Sequence, residues 1–283
     1  MEIIMAFTLK KYQFDKKTEE LLFKKAVPNI VHDGAQFEGL PITLLQTEQI
    51  INNEPINGLT AKDILVVHDM HKGADFVLQN YATFNFDKLK QLHETTGRDD
   101  TINPGQLRTG RGGVQTKKGT FIPDPVNEKE AKTTVNYLLA TDELTPETKA
   151  TKLFTYLSRA QLFNDTNKRT AVLAANVPLL KAGAGVFYIP EPAMENTLGL
   201  MNDYYWSNDD RLLNEVLENI AVSDYDGKTF YDPEHQYYDY SDEHQKHLNQ
   251  FKGLNAKGLL GKERYQELTQ PLVSEQERVD PKL

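Results

Sequence analysis

Apolar positions along most of this chain recur every three to four residues, the period of an amphipathic helix. Thr60 followed three residues later by Asp63 forms an N-cap, and Ile64, Leu65, Val66 and Val67 run on through Met70, Phe76 and Val77, which predicts a helix over 61–80. Helical spacing resumes from Asn85 to Thr96. Thr145 and Pro146 give a cap with proline at the first helical position, after which Ala150, Leu153, Phe154 and Leu157 share a face. A further helix is expected from Asn167 to Lys181, stopped by Gly183 and locally kinked at Pro178, where one intrahelical hydrogen bond is lost. Asn164 to Thr166 is the loop between these two. The glycine-rich, basic stretch from Gly105 to Pro125 differs. Its run from Val114 to Ile122 predicts a small β-hairpin turning at Lys118-Gly119, the single β element expected. The class is therefore all-α with one small hairpin.

Composition narrows the function classes. The 283 residues, 39% hydrophobic and 26% charged with a mean hydropathy of -0.57, have the balance of a globular domain and room for a sizeable core. A formal charge of -9 disfavours nonspecific binding to nucleic acid or to an anionic membrane. The absence of cysteine excludes a disulfide framework, a thiolate zinc site and a cysteine nucleophile. The first residues, Met1 to Phe7, carry an early acid and too short an apolar run for a secretory signal, so a cytoplasmic protein is expected. After about residue 224 the composition shifts to Tyr225, Tyr231, Tyr237, Tyr238 and Tyr240 among acids.

The chemistry concentrates where the loop enters the helix at 167. Exposed backbone N–H groups, a positive helix end, Lys168 and Arg169 together suit a phosphate, and Asp165 beside them suits Mg²⁺, which usually takes one or two carboxylates plus phosphate oxygens. The same residues also fit a plain cap by Asp165 or Asn167, with both cations in water.

The run Gln161-Leu-Phe-Asn-Asp-Thr-Asn-Lys-Arg-Thr170 resembles the Fic/Doc signature His-x-Phe-x-Asp/Glu-Gly-Asn-Gly/Lys-Arg, and Gly105-Gln-x-Arg108-Thr-Gly110 followed by a hairpin resembles the segment leading into that family's target-docking flap. The resemblance covers about residues 40 to 225. It implies a mainly helical Fic-type fold, with a helical segment at 1–40, a core at 41–225 and an extension at 226–283. It implies ATP and Mg²⁺ as cofactors, Asp165 as metal ligand, Asn167, Lys168 and Arg169 at the nucleotide phosphates, Phe163 as the loop's anchor, and a protein target docked on a flap that includes Lys118, Gly119, Thr120 and Phe121. Gln161 stands where the family has its catalytic histidine. A primary amide does not accept a hydroxyl proton at physiological pH, and losing such a base removes about 10²–10⁴-fold of rate. Thr166 replaces a glycine. Thr47 to Asn53 resembles the family's inhibitory motif, yet Ile51 occupies the glutamate position and Val172 the position of its arginine partner. The loss of both is electrostatically consistent. Thr47 to Asn53 also reads as an ordinary turn.

Three functions follow: a nucleotide-binding relative of protein AMP-transferases with weakened or lost activity, a noncatalytic scaffold pairing its flap with a partner strand, or a Doc-like phosphotransferase suggested by Lys168. Other signals carry less. His68 and His71 share a helical face without further ligands, Asp224-Tyr-Asp226-Gly227 lacks the remaining acids of a calcium loop, and Arg108, Arg111, Lys117 and Lys118 form a basic loop for an acidic target or for water.

Overall fold

In the computed structural model, residues 12–99 and 101–223 are described. The elements run α1 (Lys16–Phe37), α2 (Leu44–Ile51), α3 (Ala61–Asn80), a 3₁₀ turn (Tyr81–Thr83), α4 (Phe86–Thr96), β1 (Val114–Thr116), β2 (Gly119–Phe121), α5 (Glu128–Ala140), α6 (Pro146–Ala160), α7 (Asn167–Ala182), β3 (Val186–Phe187), α8 (Glu191–Ser207), α9 (Arg211–Ile220) and β4 (Val222–Ser223). The fold is mainly helical with two small antiparallel strand pairs.

Helix α7 forms the axis of the core. Its residues from Asn167 to Leu180 are buried apart from Lys168, and α1, α3, α4, α6 and β3 pack around it. A helix buried on nearly all sides cannot show a clean amphipathic stripe. Pro178 does not end it, and Gly183 closes it in the left-handed region at φ 66°. A Cβ at Gly183 would also collide with the Phe14 carbonyl, so that closure needs glycine. Gly73 lets α3 approach closely, since a Cβ there would strike Thr96 and Leu173.

The caps at Thr60 and Thr145 form as expected, the first as a reciprocal capping box with Asp63. Three expectations change. The hairpin turns at Lys117-Lys118, one residue earlier than predicted, because Thr116 pairs with Gly119 and Gly119 (φ 113°) opens β2. A second β element exists, with Val186 opposite Ser223 and Phe187 opposite Val222. Thr47 to Ile51 belong to a helix rather than a turn: Thr43 and Gln46 make a capping box at its start, and buried Thr47 returns its hydroxyl to the Thr43 carbonyl. Asn53 follows with φ 58°. The calcium-like run at 224–227, the tyrosine cluster and the extension at 226–283 lie outside the described residues. No helix among the described residues is long and apolar enough to cross a membrane.

Candidate functional site

The loop between α6 and α7 is held by polar side chains that also satisfy its backbone. Gln161 ends α6 in the left-handed region at φ 47°, and Thr166 precedes α7 at φ 61°. Neither is glycine, so the conformation is maintained by its contacts. Asn167 supplies many of them: its carbonyl oxygen accepts the Phe163 N–H at 2.9 Å, while its NH₂ donates to the Phe163 carbonyl at 3.0 Å and to the Gln161 side-chain oxygen at 3.1 Å. Gln161 in turn donates its NH₂ to the Ser158 carbonyl at 2.7 Å. Both ends of that amide are engaged inside the protein.

Two residues outside the signature brace it from behind. His93 on α4 is fully buried and stacks on Phe163 with ring centroids 3.8 Å apart. The Gly105 N–H donates to its Nδ1, so the proton sits on Nε2 and is donated to the Asp165 carbonyl at 3.0 Å. Nothing in the local pattern around His93 signals this role, since its partners are 12 and 72 residues away. Arg108 is buried instead of contributing to a basic loop. Its guanidinium donates to the carbonyls of Gln161, Gly110 and Asp124, tying the hairpin's base to the signature loop, and burial lowers its pKa.

Arg169 is turned inward. It is 1% exposed and donates to Glu38 at 3.0 Å, to the Thr96 carbonyl at 3.3 Å and to the Thr166 hydroxyl at 3.0 Å. The Thr166 hydroxyl also meets Thr101 at 2.6 Å, so the residue in the glycine position acts as a polar strut. Lys168 bonds the Phe37 carbonyl at 3.0 Å, and burial pulls its pKa down against the opposing pull of Glu38 and Asp165.

Asp165 alone of the predicted ligands is exposed, with one carboxylate oxygen accepting the Thr166 N–H at 2.7 Å. No side chain caps the first turn of α7. Next to Lys168 opens a groove of about 310 Å³, bordered by Val114, Gln115 and Lys117 of the hairpin and by Asn202 and Tyr205 of α8. The hairpin is fastened to α8: Lys118 pairs with Asp203 at 2.8 Å, Trp206 donates its indole N–H to the Thr116 hydroxyl at 3.0 Å, and Phe121 packs against Tyr205 and Trp206. Gly119 and Thr120 are exposed on its outer strand. Thr47, Ile51 and Asn53 lie at α2 and its end, and His68 and His71 are half-buried on α3.

A helical domain with a braced loop at the start of its central helix, beside a hairpin fastened over a groove, is the class that the fold and site define. Residues 83–179 match the model of the Fic/DOC family. The match leaves out residues 47–53. Among solved structures, a Fic-domain-containing signaling protein from Bacteroides thetaiotaomicron is similar at 21% identity and TM-score 0.60, over 72% of this chain and 83% of that one. A Fic family protein from Desulfovibrio desulfuricans is similar at 17% identity and TM-score 0.57, over 70% of this chain and 62% of that one. Fic-1 from C. elegans is similar at 17% identity and TM-score 0.59, over 72% and 63% respectively. At these identities the likeness is one of fold. No curated protein sequence matches the chain.

Proposed function

We propose that this domain binds a nucleotide with Mg²⁺ in the groove beside Lys168 and does not transfer AMP efficiently. One observation carries the reading: the groove meets an α7 start that lacks a side-chain cap, while the amide at 161 is engaged at both ends. A helix start suits an anion through its N–H groups and its dipole. The fit is uneven. Asp165 suits a metal ligand, being exposed with a carboxylate oxygen to spare, and Lys168 borders the groove. The side chains of Asn167 and Arg169 do not fit as direct phosphate ligands, because each is committed to internal partners. Phosphate contact would therefore fall to backbone N–H groups and Lys168, with Mg²⁺ neutralising phosphate charge at Asp165. Transfer to a hydroxyl needs a proton acceptor, and Gln161 offers none.

Calorimetry with Mg-ATP tests the reading: saturable binding is expected, and Asp165→Ala should weaken it. No detectable heat with Mg-ATP would overturn it. With labelled ATP, the chain and candidate proteins should stay unlabelled, whereas Gln161→His should raise labelling. A second reading, a scaffold without nucleotide affinity, is favoured by the internal pairing of Arg169 with Glu38. Absence of Mg-ATP binding together with capture of a protein partner lost in a hairpin variant would select it.

A further inference from the structure

A second cavity, of about 340 Å³, lies between the hairpin's exit, α5, the end of α6 and α8, and shares no lining residue with the groove beside Lys168. Arg159 stands in it, two residues before Gln161. Its guanidinium carbon lies 5.1 Å from the Phe121 ring centroid and 5.7 Å from that of Tyr204, and its Nε donates to the Tyr205 carbonyl at 3.2 Å. Those contacts orient the guanidinium plane. Neither terminal nitrogen has a hydrogen bond or ion pair among the described residues, although Asp124 and Glu130 also line the cavity. An arginine fixed by two rings with its fork unused is prepared for a planar anion, which it binds through two parallel bonds.

The surroundings set the rest of the ligand. Phe121, Pro123, Tyr156 and Leu162 supply apolar and aromatic wall, and the volume falls in the small-molecule range. The exposed carboxylates of Asp124 and Glu130 oppose a second negative charge. We propose that this cavity is a binding site for a small monocarboxylate with an aromatic or apolar body, read by Arg159. This assignment is independent of the nucleotide reading, because it uses a different cavity and a singly charged ligand.

Calorimetric titration of the full chain with phenylacetate tests it. Saturable binding with a Kd of about 1 mM or tighter is expected. The neutral phenylacetamide and the doubly charged phenyl phosphate should each bind about 10-fold more weakly. Arg159→Gln should lose about 10-fold in phenylacetate affinity, and Arg159→Lys, which keeps the charge without the fork, should fall between. No saturation by about 10 mM, or phenylacetamide binding as well as phenylacetate, would overturn the proposal on the unaltered chain, whatever the variants do to folding. Equal affinity in a folded Arg159→Gln variant would also overturn it. A peptide with a C-terminal phenylalanine carboxylate binding 10-fold more tightly than phenylacetate would overturn the small-molecule assignment in favour of a protein terminus.

Discussion

Buried polar groups meet in two parts of this domain, and they are treated differently. In and behind the signature loop, His93, Arg108, Asn167 and Arg169 each make two or more hydrogen bonds within the protein. Along the seam between α1 and the chain from Gly183 to Ile189, two buried carboxyls, Glu19 and Asp33, accept the backbone N–H groups of Gly185 and Ile189, with no cation paired to either among the described residues. Burial pushes Glu19 up to about 8 and Asp33 well above the usual carboxylate range. The loop is over-determined and holds strained backbone. The seam is stable with its acids protonated and so depends on pH.

The largest effect should come from removing the buried guanidinium of Arg169. Arg169→Met leaves Glu38, the Thr96 carbonyl and the Thr166 hydroxyl without their donor, and should cost about 3 kcal/mol in urea unfolding. Next is pH. The carboxyl of Glu19 has a folded pKa above its unfolded value, so the folded state holds more protons between about pH 4.5 and 8 and stability falls as pH rises through that window. Tm should drop by about 5 °C from pH 5 to pH 8, and Glu19→Gln should flatten the slope. An unchanged slope in that variant would move the pH response away from Glu19. His93→Phe keeps the stack on Phe163 but loses the hydrogen bonds to Gly105 and Asp165, at a cost of about 1.5 kcal/mol. The smallest change is expected at the exposed Lys118–Asp203 pair, where Lys118→Ala should cost less than about 0.5 kcal/mol in the same assay.

Legibility in the sequence follows how local the determining contacts are. Helices α3 and α6 are readable because Thr60 with Asp63, and Thr145 with Pro146, put the start signal within three residues of the apolar face. Strands β3 and β4 are two residues each and pair across about 35 residues of chain, so neither has a local period to read. The candidate site divides the same way. Lys168 borders the groove and Asp165 is exposed on the loop, whereas the inward turn of Arg169 depends on Glu38, 131 residues away. A side chain's identity is local information, but its direction is set by what packs against it. The Fic/DOC resemblance located the loop and the hairpin. It did not disclose that Asn167 and Arg169 are used to build the site.

Trp206 gives this chain an optical consequence. It is the sole tryptophan, 46% exposed, and its indole N–H and ring edge rest on Thr116 and Phe121 of the hairpin. Lifting the hairpin from α8 would replace a protein hydroxyl and an aromatic face by water around one fluorophore, without competing emission from another. The position of the hairpin is thus encoded in the colour of a single residue's emission, and its movement during ligand or partner binding can be timed in solution without attaching a label.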